Sequence, residues 1–295
     1  KKLADYWFMV EPLLGASVFT IADAIFAINR QFAKKPAKLI DGEENINRPG
    51  FLSLLESIAP GLNQGGKGTW QSQYVLFHDG MASTFDGDLS CSIPCDFPIS
   101  GAIKAETLLQ LLKLMREEKI QIRYHNKEED TDDGKKRFKI VGTRRRGIIP
   151  IEDTKDYLHD LDTVERPGKW SKLNPQFEDA VRVVRHSAHS DAHCFPENAI
   201  HIAPCFIEAW DGQQLCRFNL ETGIKKECFV RADLLKHVVG RSFAHVSLGK
   251  EWIHFKNSAG LVMSLPVSYE RHELPSTLLD EQGHGHLELG DRLIK

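Results

Sequence analysis

The sequence lacks the features that mark several large classes of protein. Its 295 residues include only six cysteines, with no recurring paired spacing, which excludes a disulfide scaffold and favours reduced thiols in a cytoplasmic compartment. The formal net charge is -3, so the chain as a whole is not a polycation that coats nucleic acid. It has neither a Gly-x-x-x-x-Gly-Lys-Ser/Thr phosphate loop nor a Gly-x-Ser-x-Gly nucleophile elbow. These absences favour a protein that is not an enzyme and needs no cofactor.

The sequence also lacks a long uninterrupted apolar run. Residues 7–28 are rich in apolar side chains, but Glu11, Pro12 and Asp23 interrupt them. A membrane-spanning helix needs about 20 predominantly apolar residues, so this stretch is not expected to cross a bilayer. The spacing instead predicts an amphipathic helix over residues 18–32, which docks on the protein or on a partner, or lies at a membrane surface. Residues 34–47 are predicted to be a linker.

What the chain does contain is a pattern of one short amphipathic helix followed by strand-like runs, repeated four times. The four helices are predicted over residues 51–59, 104–117, 175–189 and 231–239. Alternating or apolar runs follow each of them, for example at residues 120–124, 137–141, 199–202, 206–210 and 252–255. The repeat is one of structure and not of identical letters, and four such units in succession make a chance match improbable.

Two consecutive repeats form one domain of an α+β fold, in which a pair of helices covers one side of curved sheets. We predict an N-terminal helical segment and linker at residues 1–47 and a first domain at 48–151. Residues 152–169 are charged and interrupted by Arg166-Pro167-Gly168, and are predicted to be the interdomain linker. A second similar domain follows at 170–279, and residues 280–295 form a C-terminal tail.

Two segments carry a resemblance to a known family. The first is Ala102-Ile-Lys-Ala-Glu-Thr-Leu-Leu-Gln-Leu-Leu112, which follows one strand-like run and precedes another. The second is Glu227-Cys-Phe-Val-Arg-Ala-Asp-Leu-Leu-Lys-His-Val-Val239, followed by the runs at 252–255 and 261–265. Both resemble the half-domains of DNA polymerase sliding clamps, especially bacteriophage-encoded relatives of the bacterial beta clamp and the two-domain clamps of eukaryotes and archaea. The resemblance covers residues 48–279, and its motifs are diffuse because clamps have no catalytic signature.

The resemblance implies the DNA-clamp fold and a role as a DNA polymerase accessory protein in DNA replication. Sliding clamps are processivity factors: closed rings of six similar domains that encircle duplex DNA. Two domains per chain imply a homotrimer, although an N-terminal segment that held part of another domain would change that count. The implied partners are double-stranded DNA, a DNA polymerase and a clamp loader, in the host cytoplasm if the protein is phage-encoded.

A ring that slides needs cations facing phosphates, without contacts to base edges that would hold it at one sequence. Basic side chains opposite the apolar stripes of the predicted helices are therefore the candidate DNA-binding residues, more strongly in the second domain than in the first. Ordinary solvated surface is the alternative role for each of them, and basic residues on an exposed helix face are common. The candidates are Lys104, Lys113, Arg116, Arg182, Arg185, His189, Lys236, His237 and Arg241. The run Arg144-Arg145-Arg146 either contacts phosphate or is a solvated loop. The acidic run at 128–133 is predicted to be a hairpin tip.

Sliding clamps also take a short peptide from polymerases and loaders in a shallow apolar pocket near the linker. The candidate residues for such a pocket are Ile148, Ile149, Pro150, Ile151, Pro266 and Val267. Core or linker packing is the alternative role for each of them.

Metal chemistry is the main competing hypothesis. His186, His189, His193 and Cys194, with Asp191, place ligands that zinc accepts within nine residues. A metal-dependent hydrolase built on this His186–Cys194 cluster is the alternative function, but it lacks the glutamate of a His-Glu-x-x-His motif. We therefore predict no metal site. A third alternative is a clamp-fold interaction scaffold that binds no DNA.

Overall fold

The computed structural model describes residues 43–62, 70–97, 99–125, 137–191 and 194–270. The helix predicted at 18–32, the acidic run at 128–133 and the C-terminal tail at 280–295 lie outside these residues. The chain divides into two compact units. The first unit runs to Val164 and includes Ala259–Leu261, and the second contains Glu165–Ser258 and the residues from Val262 onward.

The first unit contains two sheets and a pair of helices. Its elements are β1 (Glu43–Asn47), α1 (Arg48–Ile58), β2 (Tyr74–His78), β3 (Met81–Phe85), β4 (Ser90–Pro94), β5 (Gly101–Lys104), α2 (Ala105–Leu114), β6 (Lys119–His125), β7 (Arg137–Val141), β8 (Arg146–Pro150) and α3 (Lys155–Asp162). One sheet has the order β5-β2-β3-β4 and the other β1-β6-β7-β8, with antiparallel neighbours.

Helices α1 and α2 contact each other and bury their apolar stripes. Asn47 begins α1, because its side-chain oxygen accepts a hydrogen bond from the main-chain N–H of Gly50 at 3.0 Å. Phe51, Leu55 and Ile58 of α1 are buried, as are the apolar positions of α2 at the same helical spacing. The opposite face of each helix is not buried in this way, and charged residues can occupy it.

The second unit repeats this arrangement. Its elements are β9 (Ser171–Lys172), α4 (Phe177–Val184), β10 (Ala199–Ile202), β11 (Phe206–Trp210), β12 (Leu215–Asn219), β13 (Cys228–Arg231), α5 (Ala232–Leu235), β14 (Phe243–Leu248), β15 (Trp252–Asn257) and β16 (Val262–Pro266). Its strand orders are β12-β11-β10-β13 and β9-β14-β15-β16. Short 3-10 helices, Arg185–Ser187 and Lys236–Val238, extend α4 and α5. The predicted α+β fold class, with repeated helix-plus-strands half-domains, is confirmed.

Two elements occupy stretches that the sequence predicts to be linkers. Strand β1 lies at the end of the N-terminal stretch and pairs with β6 from Glu43↔Arg123 to Asn47↔Lys119. Helix α3 lies within residues 152–169, where Tyr157 is only 5% exposed and packs with Leu76 and Ala102. Both were missed because their sequences are mostly polar, and their few apolar side chains are buried by distant segments.

Candidate nucleic-acid interface and peptide site

The predicted DNA-binding residues of the second unit surround α4 and α5. Arg182 is exposed on α4 and forms an ion pair with Asp179 one turn earlier, with a distance of 2.7 Å from Nη1 to Oδ1. Arg185 lies in the following 3-10 helix and is half-buried. The sequence prediction that His189 continues this helix is wrong, because Ala188 takes an extended conformation that ends it. The Nδ1 of His189 instead accepts a hydrogen bond from the main-chain N–H of Asp191 at 3.0 Å.

The structure brings the residues after α5 close to α4. Glu178 of α4 accepts hydrogen bonds from the main-chain N–H groups of Gly240 at 2.8 Å and Phe243 at 3.0 Å. Lys236 is exposed on the 3-10 helix that follows α5. The guanidinium Nε of Arg241 donates a hydrogen bond to the main-chain carbonyl of His237 at 2.9 Å. This bond places the side chain of Arg241 next to the main chain of His237, another predicted residue. Five of the six predicted residues of this unit, all except His189, thus lie on or next to helices that contact each other.

The three predicted residues of the first unit are distributed differently. Lys104 is the last residue of β5, and Arg116 lies two residues beyond the end of α2, so neither is on the helix that the sequence predicts over 104–117. Helix α2 ends at Leu114 because Met115 is extended. Lys113 is on α2, but its Nζ lies 3.2 Å from Oε1 of Glu56 on α1. An exposed pair of this kind contributes little stability, and phosphate can displace the carboxylate.

The residues predicted to form the peptide pocket do not all reach the surface. Successive side chains of strand β8 point to opposite faces of the sheet, so Ile148 is 57% exposed while Ile149 is 1% exposed. Ile151 is 8% exposed, which leaves Ile148 and Pro150 as the members of this run that a peptide could touch. Pro266 and Val267 are half-buried and belong to the second unit.

A shallow cavity in the first unit lies between α3 and the outer face of β2 and β3. Its lining includes Gln71, Tyr74, Leu76, Phe85, Tyr157 and Leu161. The rings of Tyr74 and Tyr157 contact each other with centroids 5.3 Å apart, and burial followed by the charge of Glu152 raises the pKa of the Tyr74 hydroxyl. Sequence reasoning missed this cavity because it treated α3 as a linker, although Tyr157, Leu158 and Leu161 have helical spacing.

The competing hypothesis of a metal site receives no support from the geometry. Within the described parts of the chain, no three histidine, cysteine, aspartate or glutamate side chains come together as possible metal ligands. His193, one member of the predicted cluster, lies outside those parts. All six cysteines are thiols. Among the same residues, no helix is long and apolar enough to cross a membrane.

The architecture of helix pairs on antiparallel sheets also occurs in solved structures of known proteins, whereas comparison of sequences finds no match. No protein-family model matches the sequence, and no curated protein sequence does. Solved structures do match. The DNA polymerase sliding clamp of Bacillus subtilis superimposes with a TM-score of 0.66 at 10% identity, covering 82% of this chain and 68% of its own.

Two further structures give the same result. The DNA polymerase III beta subunit of Pseudomonas aeruginosa matches with a TM-score of 0.61 at 13% identity, covering 79% of this chain and 66% of its own. The beta clamp of Helicobacter pylori, solved with a bound DNA ligase peptide, matches with a TM-score of 0.63 at 12% identity over 82% of this chain and 70% of its own. The resemblance found in the sequence is confirmed at the level of structure. The chain has the fold of the DNA polymerase sliding clamps.

Proposed function

We propose that the protein is a DNA polymerase processivity factor, a sliding clamp that encircles duplex DNA and tethers the replicative polymerase. The observation that carries this proposal is the clamp fold, which extends over 82% of the chain and through both of its units. Processivity in this function comes from topological linkage and not from catalysis. The proposal accordingly assigns no catalytic residue, and it includes the phage origin and host-cytoplasmic location that the sequence resemblance implies.

The nine basic residues predicted from the sequence are the proposed DNA contacts. Lys104, Arg116 and Lys236 make no ion pair within the described residues, so they are available to phosphate directly. Lys113 and Arg182 must exchange a carboxylate for a phosphate. Contacts of this kind are mobile and screened by salt, which suits a protein that centres the duplex while it slides.

Two units per chain lead us to propose a homotrimer, because a ring of six units then needs three chains. Strand β8 is at the end of one sheet of the first unit, and β12 is at the end of one sheet of the second. Terminal strands present main-chain N–H and C=O groups that can pair with another chain. We propose that β8 of each protomer pairs with β12 of the next, which makes the interface heterologous and allows a closed ring.

The cavity under α3 is the proposed site for the tethering peptide of a polymerase or clamp loader. Its half-buried aromatic and aliphatic side chains, Tyr74, Phe85 and Leu161, could contact the apolar anchors of a short peptide. Ile148 and Pro150, the exposed members of the predicted pocket, lie on β8, so we assign them to the proposed subunit interface and not to the peptide site. The Helicobacter pylori structure holds a DNA ligase peptide, which supports peptide capture as a property of this fold.

Negative-stain imaging of the purified protein at micromolar concentration tests the proposal. Six-lobed rings with a hole wide enough for duplex DNA are expected. Separate two-lobed particles at every concentration would contradict it. A ring that forms but supports processive synthesis equally well after Arg182→Glu and Arg185→Glu would instead favour a clamp-fold scaffold that does not bind DNA.

A further inference from the structure

The turn that joins β7 to β8 carries the densest run of positive charge in the described part of the chain. Val141 and Arg146 form the last pair of the β7–β8 ladder, and the main-chain N–H of Gly142 donates to the carbonyl of Arg145 at 2.7 Å. This tight turn leaves Arg144, Arg145 and Arg146 all exposed to solvent. The turn is therefore a fixed platform for three consecutive guanidinium groups.

Glu117, which follows the end of α2, holds this turn in place. Its Oε1 accepts a hydrogen bond from the main-chain N–H of Arg144 at 3.2 Å, and its Oε2 accepts from that of Arg116 at 3.0 Å. Main-chain N–H groups, first its own and then that of Arg144, lower the pKa of the Glu117 carboxyl. Gly142 permits the approach, because a Cβ there would stand only 3.1 Å from Oε1. The Glu117 carboxylate thus joins the main chain after α2 to the main chain of the β7–β8 turn, which brings Arg116 beside the turn.

The main chain of Glu117 is fixed as well. The Nε of Arg48 donates to its carbonyl at 2.7 Å, and Nη1 of the same guanidinium donates to the carbonyl of Leu112 at 3.3 Å. Gly147 lies against Leu111 of α2, which anchors the start of β8. Positions far apart in the sequence are therefore joined into one rigid surface at the end of α2.

The charges on this surface are available to a ligand. The side chains of Arg116, Arg144, Arg145 and Arg146 make no ion pair or hydrogen bond within the described residues. In contrast, Arg182 is paired with Asp179 and Lys113 with Glu56. Against these four cations stand the carboxylate of Glu117, which is engaged by main-chain N–H groups, and the neighbouring exposed Glu118.

We infer that Arg116, Arg144, Arg145 and Arg146 form a phosphate-binding site for the backbone of nucleic acid, which we call the arginine platform. The inference rests on the proposed function and adds to it a second contact region, separate from the basic residues around α4 and α5. Guanidinium groups bind phosphate oxygens in bidentate geometry, and their orientation here is set by the Glu117-anchored turn. Contacts to phosphate do not read sequence, so the platform is compatible with sliding.

The test compares binding of a short linear duplex, on which a ring is not topologically trapped, over a range of salt concentrations. In the triple variant Arg144→Ala, Arg145→Ala, Arg146→Ala, the slope of log affinity against log salt is expected to fall by about 2 to 3, since each duplex phosphate contact contributes about 0.9. The affinity at low salt is expected to fall by about tenfold or more. The matched control, Arg166→Ala, Lys169→Ala, Lys172→Ala, removes the same charge from exposed positions of the second unit and is expected to keep the wild-type slope.

A second variant tests the positioning role of Glu117. Glu117→Ala removes a negative charge from the platform, so an effect of net charge alone would tighten DNA binding. If the carboxylate orients the turn, binding weakens by about threefold or more despite the gain in charge, while Glu118→Ala, with the same charge change, does not weaken it.

The outcomes separate the two proposals. Wild-type protein that shows no salt-dependent binding of the linear duplex would overturn the platform, but six-lobed rings in negative stain would still support the processivity function, which rests on topological linkage. Wild-type binding that the triple variant leaves unchanged would overturn the platform alone. Binding of an oligoglutamate peptide that depends on the triplet, with DNA binding unaffected, would also overturn it and would identify an acidic protein partner.

Discussion

Glu208 is a carboxylate on a central strand of the second unit and is only 1% exposed. It lies directly across from His201 on β10 and Arg217 on β12. Its two oxygens are each 2.8 Å from a partner, Nδ1 of His201 and Nε of Arg217. The ring of Phe206 lies under the Arg217 guanidinium at 4.2 Å, and His201 stacks on Phe229 with centroids 4.6 Å apart. Two cross-strand partners, His201 and Arg217, thus satisfy both oxygens of the buried carboxylate.

Glu208→Ala is expected to destabilise the protein by about 3 kcal/mol or more, because it leaves Arg217 and His201 without their shared partner in a largely buried place. Urea unfolding measures the loss. Glu227→Ala is the control, since Glu227 is 67% exposed and its Oε2 stands 3.7 Å from His201. That change is expected to cost less than about 1 kcal/mol, as exposed pairs do. Equal effects of the two variants would contradict a structural role for the buried network.

His254 on β15 predicts a dependence of stability on pH. The residue is 0% exposed, and its Nδ1 is 2.8 Å from the hydroxyl of Ser264. Its Nε2 has no hydrogen-bond partner among the residues that the structure describes. Burial lowers the pKa of the imidazole from 6.5 to about 4, against the opposing effect of the Glu165 charge. The imidazole of the unfolded chain therefore becomes protonated as the pH falls through about 6.5, whereas that of the folded chain becomes protonated only near pH 4. Stability attributable to this group falls as the pH drops through that window, by about 3 kcal/mol in total.

His254→Gln removes the titrating group, so the difference between pH 7.5 and pH 4 in the free energy of unfolding is expected to shrink by about that amount. Unfolding by urea at both values measures it in the variant and the wild type, which share all other titrating groups. His159→Gln, at an exposed position on α3, is expected to leave the difference unchanged. An unaltered pH dependence in His254→Gln would show that the buried imidazole does not titrate in this range.

At the scale of elements, the sequence predicts strands better than helix ends. Strands β7, β10 and β11 lie where the alternating patterns predict them. Three of the four helices are shorter than predicted, whereas α1 begins three residues earlier than predicted. Helix α5 is a single turn, Ala232–Leu235, continued as a 3-10 helix. Apolar spacing of three fits a 3-10 helix as well as an α-helix, so periodicity alone does not separate them.

Contacts between distant segments explain what the sequence could not predict about the site. The Arg182–Asp179 pair has helical spacing and is visible in the sequence. Glu117 and Arg144 are 27 residues apart, and no local pattern links them. The sequence shows that the nine candidate residues are basic. It does not show which of them form ion pairs with carboxylates, because that depends on the neighbouring helices and strands. The arginine platform therefore required the structure, although its three consecutive arginines are plain in the sequence.

Gly101 lies where the chain before α3 contacts strand β5, and we predict that this contact requires a glycine. This residue has φ of +144°, and a Cβ at its position would overlap Cγ2 of Ile151. Next to it, Ala102 and Glu152 exchange main-chain hydrogen bonds of 3.1 and 2.9 Å that bring the chain before α3 onto β5. Gly101→Ala is expected to cost about 1 to 3 kcal/mol and to displace this attachment, because the backbone conformation is strained for any side chain.

Hydrogen exchange of the amides of Ala102 and Glu152 reports the displacement, and both are expected to lose protection in Gly101→Ala. Gly168→Ala is the control, since a Cβ there meets only the hydroxyl of Ser247, at 3.9 Å. If both variants show wild-type exchange and stability, the attachment tolerates a side chain and α3 is not held in this way.

At the scale of the whole molecule, the fold could be predicted from the order of elements because each half-domain repeats the same burial pattern. Identities of 10% and 13% accompany TM-scores of 0.66 and 0.61, so the pattern of apolar positions is shared while individual residues are not. The proposed function depends on topological linkage, which needs no catalytic motif in the sequence. The remaining evidence for such a function is the distribution of basic residues over the surface and the strands at the ends of the sheets. Both become visible only in the tertiary structure.

Among the described residues β8 is the last strand of its sheet, and its outer edge gives the prediction that tests assembly. Ile148 is 57% exposed on this edge strand, an apolar position that pairing with β12 of another protomer would cover. Ile148→Asp places a charge in the proposed interface and is expected to weaken trimerisation by about 100-fold, since an unpaired charge is costly to bury. Sedimentation at micromolar concentration then shows monomers of 33.4 kDa in place of trimers.

Val183→Asp is the matched control, because Val183 is 50% exposed and lies on helix α4, not on either of the two strands proposed to pair. This variant is expected to remain trimeric with an unchanged melting temperature. Trimers that persist in Ile148→Asp, or that dissociate equally in both variants, would remove β8 from the interface. Loss of trimers in Ile148→Asp alone would place the ring contact at the edge strand, since the two variants add the same charge to equally exposed apolar positions.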